Sequence, residues 1–165
     1  MSSISSWKIS QIALAGPVAE EKPCPTILLV DDDRDLAATL QRALEVRGYR
    51  VVTAHSAAEG LRRLEQERPD LLILDVMMET DTAGFEMVYQ IRSWRPESRY
   101  AAFRETPVIL LTAVNQATRS RFSLDEENSF LPEIDAFLTK PFQLDALLEK
   151  VDEILSRKQS KDSEG

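Results

Sequence analysis

The sequence predicts an α/β protein built on a doubly wound, five-stranded parallel sheet with helices on both faces. Three observations carry that expectation. From Thr26 onward, short apolar runs alternate with amphipathic segments, the pattern of strand–helix units joined by right-handed crossovers. Runs such as Asp70 to Leu74 (DLLIL) and Pro107 to Leu111 (PVILL) are apolar throughout, as parallel strands covered on both faces must be. The runs also stop at polar residues, and in open α/β sheets the ligand crevice lies outside the carboxyl ends of the strands.

The first run, Thr26 to Val30, ends at the acids Asp31, Asp32 and Asp33. Asp33 is placed to cap a helix whose stripe is Leu36, Leu40, Ala43 and Leu44, and Gly48 closes that helix. Arg50 to Ala54 (RVVTA) reads as the second strand. Ser56 opens a helix with Ala57, Leu61 and Leu64 on one face, ended by Pro69. Asp70 to Leu74 is the third strand and runs into Asp75. Gly84 to Trp94 reads as helix, and a connector from Arg95 to Thr106 as a surface loop. Pro107 to Leu111 is the fourth strand, ending at Thr112, and Asp135 to Thr139 the fifth, ending at Lys140. Leu144, Leu147, Leu148, Val151, Ile154 and Leu155 form the clearest helical stripe in the chain.

Composition bounds the function. A chain of 165 residues suits one well-buried domain with tails. The net charge of −8 works against phosphate-backbone binding, so no direct nucleic-acid partner is expected. No apolar run approaches the ~20 residues that span a bilayer, so neither a membrane span nor a membrane partner is expected. The single cysteine, Cys24, rules out an internal disulfide and a cysteine-based zinc cluster, in keeping with a cytoplasmic protein. Between Pro23 and Pro25, it reads as an incidental linker residue.

Asp31, Asp32, Asp75, Thr112 and Lys140 are scattered in sequence, yet all fall at strand ends and should converge in space. Adjacent carboxylates repel unless a cation or proton compensates. Hard oxygen donors with no histidine or thiolate select Mg2+ over zinc. A central carboxylate can then act as nucleophile toward a phosphoryl group, with a lysine ammonium and a hydroxyl to balance the phosphoryl oxygens. Lys140 and Thr112 supply those groups.

The motifs Ile27-Leu28-Leu29-Val30-Asp31-Asp32-Asp33, Leu74-Asp75-Val76-Met77-Met78 with Gly84-Phe85-Glu86, Pro107-Val108-Ile109-Leu110-Leu111-Thr112-Ala113 and Phe137-Leu138-Thr139-Lys140-Pro141-Phe142 together resemble the receiver domain of two-component response regulators. The resemblance spans residues 25–157 in motif order. It implies a flavodoxin-like (βα)5 fold with strand order 2-1-3-4-5, with Asp75 as phosphoacceptor. It further implies a metal site of Asp31, Asp32, Asp75 and the Met77 backbone carbonyl, in which Asp32 is the more direct ligand of the acid pair. Thr112 would be the switch hydroxyl, Lys140 the phosphate-pairing cation, Phe137 the aromatic that follows the switch, and Pro141 the site of a cis peptide bond. The expected partners are a histidine kinase or histidine phosphotransfer protein and a downstream protein target, and a homodimer could form on phosphorylation. No separate catalytic domain is expected, so output would be by contact.

Residues 1–24 read as a disordered leader and 158–165 as a polar, frayed tail. Departures from the family lie around the site. Glu79 stands where a proline is usual, with an exposed acid pointing at water as the expectation. Between Thr112 and Lys140 the chain is several residues longer than usual, with an acidic stretch from Ser123 to Pro132. That insert is either a private docking element or a tolerated surface loop. His55 is expected to be a solvated loop residue, and Trp94 and Phe103 to be packing residues. Two rivals stand beside the receiver reading. Haloacid-dehalogenase-like phosphatases also place acids after a strand, but Asp35 occupies the position of their Thr or Val and their later acid pair is missing. A pseudo-receiver would use the same fold for protein contact without phosphorylation.

Overall fold

The computed structural model describes residues 24–113 and 134–164; the expected leader, apart from Cys24, and the insert lie outside the described residues. The elements are β1 (Thr26–Val30), α1 (Arg34–Val46), β2 (Arg50–Ala54), α2 (Ala57–Glu67), β3 (Leu71–Asp75), α3 (Ala83–Ile91), a 3-10 turn (Ala101–Phe103), β4 (Val108–Ala113), β5 (Ala136–Lys140) and α4 (Leu144–Glu164). The strands form one parallel sheet in the order β2-β1-β3-β4-β5, as the resemblance implies.

Alternation along the central strands explains why their runs are apolar throughout. Ile27, Leu29, Ile73, Ile109 and Leu111 face one side, where Ala37, Leu40 and Leu44 of α1 meet Leu147, Val151 and Ile154 of α4. Leu28, Val30, Leu72, Leu74 and Leu110 face the other, against Leu61 and Leu64 of α2 and Phe85, Met87, Val88 and Ile91 of α3. Each fully buried Leu or Ile of these two layers contributes roughly 1.5–3 kcal/mol of transfer free energy. Gly60 lets α2 settle closely on β1, because a Cβ there would lie 2.9 Å from a Val30 methyl.

The caps follow the sequence. The Asp33 carboxylate accepts the Leu36 N–H at 3.0 Å, and the Ser56 hydroxyl accepts the Glu59 N–H at 3.1 Å. Gly48 sits at φ +94° after α1, in the left-handed region that glycine tolerates. At the end of α2 the left-handed position is taken by Arg68, immediately before Pro69.

Several boundaries differ from the sequence reading. Helix α3 stops at Ile91, so Trp94 is not a packing residue: its ring is 84% exposed and lies under the Arg104 guanidinium, 5.1 Å from the centroid. Phe103 is buried as expected. The connector is a surface loop, as expected, and it is tied down where Arg92 Nη1 donates to the Arg104 carbonyl at 2.6 Å and Arg104 Nε to the Ser93 carbonyl at 2.8 Å. The expected frayed tail is also corrected, because α4 remains helical to Glu164. No Gly or Pro interrupts residues 158–164, and Lys158 Nζ anchors that stretch to the Asp70 carbonyl at 3.3 Å. No helix among the described residues is long and apolar enough to cross a membrane.

Candidate functional site

Strand register builds the site. Val30 of β1 pairs with Leu74 of β3, so the next residues, Asp31 and Asp75, emerge side by side at the carboxyl edge. Asp31 is fully buried and Asp75 nearly so, whereas Asp32 is exposed. Ligand oxygens from Asp31, Asp32 and Asp75 all lie within 4.8 Å of one another. The backbone orders two of them: the Asp33 N–H donates to Asp31 Oδ1 at 2.9 Å, and the Met77 N–H to Asp75 Oδ1 at 3.3 Å.

Lys140 ends β5 and reaches back across β4. Its Nζ lies 3.1 Å from Asp31 Oδ2 and 3.5 Å from Asp75 Oδ1. Two buried carboxylates therefore share one ammonium. Burial and the neighbouring Asp31 charge push the Asp75 carboxyl up from 3.8 to about 7, with Lys140 pulling the other way. Burial alone would lower the Lys140 ammonium, but its hydrogen bond and attraction to Asp31, with Asp75, outweigh that and raise it. This donor set suits a hard divalent cation: three carboxylates of graded exposure, one facing solvent, and no nitrogen or sulfur ligand in the group. Mg2+ fits the chemistry and would relieve the excess negative charge.

Thr112 and Phe137 lie farther along the edge. Leu111 of β4 pairs with Asp75, so the half-buried Thr112 is one residue beyond the acid's level. Phe137 pairs with Leu110 and is 39% exposed on the outer strand β5, three residues before Lys140 and so ~10 Å back along the strand. The Lys140–Pro141 peptide is cis. The site thus gathers Asp31, Asp32, Asp75 and Lys140 within a few ångströms, with Met77 joined through its N–H, while Phe137 stands apart.

Three further residues shape the site. Gly84 opens the way for α3 to press on the end of β3: its N–H donates to the Val76 carbonyl at 2.9 Å, and a Cβ there would sit 2.3 Å from the Asp75 carbonyl oxygen. His55 is not a solvated loop residue; it is half-buried, with Nδ1 3.0 Å from the Asp31 carbonyl oxygen. Its place directly after β2 was the available signal. Glu79 is exposed, as expected, and in addition its Oε1 accepts the Ala57 N–H at 2.5 Å. An open cleft of about 1010 Å³ lies at the opposite end of the strands, bordered by Arg92, Trp94, Asp135 and Arg157, and is lined by none of Asp31, Asp32 and Asp75.

Comparison with known proteins agrees with this geometry. The model of the response regulator receiver domain family matches residues 27–152. The response regulator MprA of Mycobacterium ulcerans (strain Agy99) is 36% identical over 138 residues, covering 84% of this chain and 53% of that protein. MprA of Mycobacterium tuberculosis (strain H37Rv) is 34% identical over 137 residues, with 83% and 53% covered. The chain spans about half the length of these curated relatives. Among solved structures, a CheY-like receiver domain protein from Methanospirillum hungatei JF-1 superposes with TM-score 0.65 at 30% identity, over 84% of this chain and 98% of that one. The receiver domain of a signal transduction histidine kinase from Syntrophus aciditrophicus gives 0.66 at 31%, over 81% and 91%. Motif order, sheet order and these matches agree: the chain belongs to the response regulator receiver domain family of two-component systems.

Proposed function

We propose that Asp75 accepts a phosphoryl group from the phosphohistidine of a histidine kinase or phosphotransfer protein in the cytoplasm, in a reaction that depends on Mg2+. The observation that carries this reading is the buried Asp75 carboxylate, grouped within 4.8 Å of Asp31 and Asp32 with Lys140 Nζ 3.5 Å from its Oδ1. An Asp75 oxygen attacks phosphorus, the P–N bond to the donor imidazole breaks, and that nitrogen leaves with its electron pair to take up a proton. Asp31, Asp32, Asp75 and the Met77 carbonyl would hold Mg2+, which supplies charge neutralisation at the phosphoryl oxygens.

Lys140 has two tasks in this scheme. It holds Asp75 ionised against burial before transfer, and it pairs with a phosphoryl oxygen afterwards. Thr112, one residue beyond the acid's level on β4, donates its hydroxyl to the same group. Phe137, on the exposed edge strand, changes rotamer as Thr112 moves, so the β4–β5 edge reports the phosphoryl state to a protein target.

Intact-protein mass spectrometry after exposure to acetyl phosphate tests the assignment. A single phosphoryl adduct is expected with Mg2+, absent with chelator and absent in Asp75→Ala. An adduct that survives in Asp75→Ala overturns the choice of acceptor. No adduct, together with no beryllofluoride binding, overturns the phosphoacceptor reading itself.

A further inference from the structure

The loop that follows Asp75 is tied to a helix to which it does not belong. Glu79 Oε1 accepts the N–H of Ala57 at 2.5 Å, and Ala57 is the first residue of α2. Helices leave their first N–H groups without internal partners, and an anionic acceptor there gains from both charge and helix dipole. Two donors later in the same turn are already taken: Glu59 N–H by the Ser56 hydroxyl at 3.1 Å and Gly60 N–H by the Ser56 carbonyl at 2.9 Å. The same turn reaches the acid cluster from behind. The His55 N–H donates to Glu59 Oε2 at 3.0 Å, while the His55 ring lies 3.0 Å from the Asp31 carbonyl oxygen. One set of polar contacts therefore runs from Asp31, through the β2–α2 turn, to the loop carrying Met77 and Glu79.

We propose that Glu79 is a positioning residue, a clamp that holds the loop after Asp75 against the N-terminus of α2 and so fixes the Met77–Met78 backbone beside the acids. This rests on the reading of Asp75 as phosphoacceptor. Glu79 is not in the group of carboxylates whose ligand oxygens gather within 4.8 Å; its charge is engaged on the helix instead. The bond is solvent-exposed, so its loss should weaken Mg2+ binding by about three- to tenfold, the scale of one exposed charge-assisted hydrogen bond.

The donor and acceptor can be removed separately. Ala57→Pro deletes the N–H at a helix position where proline is favoured, and Ser56 at φ −153°, ψ 162° already has the extended backbone that a following proline requires. Glu79→Ala deletes the acceptor, and Glu79→Gln keeps an acceptor without the charge. Mg2+ affinity by isothermal titration calorimetry and phosphoryl half-life by mass spectrometry are read on wild type, the three variants and the Ala57→Pro/Glu79→Ala double variant, with helix content checked by circular dichroism. The expected result is equal weakening in Ala57→Pro and Glu79→Ala, no further loss in the double variant, and substantial recovery in Glu79→Gln. Wild-type affinity in Ala57→Pro with weakening in Glu79→Ala would mean that the charge alone matters, and overturns the clamp. Tighter binding in Ala57→Pro, from a released Glu79 joining the ligands, overturns it too, as does wild-type behaviour throughout. A wild type that binds Mg2+ yet takes no phosphoryl group overturns the phosphoacceptor reading while the affinities still judge the clamp; a wild type that binds no Mg2+ overturns both.

Discussion

Replacing Asp75 by Asn should stabilise the metal-free protein, and the gain should grow with pH. The Asp75 carboxyl rises from 3.8 to about 7 on folding, through burial and the Asp31 charge. An acid that binds its proton more tightly when folded leaves the unfolded state with fewer protons between pH 4 and 7, so folding stability falls across that window as pH rises. At ~1.4 kcal/mol per tenfold change, the full penalty is about 4 kcal/mol above pH 7. Asn is nearly isosteric and neutral, but its amide carries its own desolvation cost of ~1–3 kcal/mol where hydrogen bonds are incomplete. The expected net gain is therefore about 2 kcal/mol near pH 8, shrinking toward zero near pH 5. Urea unfolding of both proteins in chelator at the two pH values measures it, and the difference between them cancels the titrating groups that do not touch Asp75. Saturating Mg2+ should then erase the advantage by binding the folded wild type. A difference that is flat with pH, or a less stable Asp75→Asn near pH 8, would refute the account of Asp75 as a carboxylate held against its own charge.

Gly84→Ala should destabilise by ~3 kcal/mol, since the new Cβ would meet the Asp75 carbonyl oxygen at 2.3 Å and backbone cannot yield cheaply; thermal melting checks this, with loss of phosphoryl uptake at permissive temperature. Lys140→Met leaves Asp31 and Asp75 without the ammonium that now lies 3.1 Å and 3.5 Å from them, and should cost about 2 kcal/mol. The Lys140 ammonium is raised on folding, so its contribution is complete below 10.5 and lost only as pH climbs through the higher folded value. Lys140 also holds the Asp75 carboxyl down, so its loss lifts that carboxyl further, and denaturation from pH 7 to 9 should show a deficit that grows with pH. Tyr49 donates its hydroxyl to Asp152 of α4, and burial with that partner holds the phenol well above its ordinary value. Wild type and Tyr49→Phe should give the same phenolate absorbance near pH 11, and the variant should lose about 1 kcal/mol of stability.

The strands, their polar termini and the caps at Asp33 and Ser56 were legible because each is a local pattern: an apolar run of fixed length, a carboxylate ahead of a helix, a glycine behind one. Boundary errors came where tertiary contact overrides propensity. Lys158 reaches Asp70, 88 residues away in sequence, and α4 stays helical past the expected end. Trp94 looked like core by residue type, yet α3 stops short and the ring stacks with Arg104 at the surface. His55 and Glu79 are single polar residues in loops, and a lone polar residue has no periodicity to read.

The sequence by itself determined the fold class, the family and which residues could meet, because hydrophobic period and residue chemistry are written along the chain. Only the tertiary structure decided how they meet. Register sets Asp31 beside Asp75, burial lifts the Asp75 carboxyl toward 7, and one ammonium answers both carboxylates. It also decided that Glu79 turns to the α2 N-terminus. Those are matters of distance and desolvation, and charges separated by dozens of residues acquire an interaction energy only when folding brings them within a few ångströms and removes the water between them.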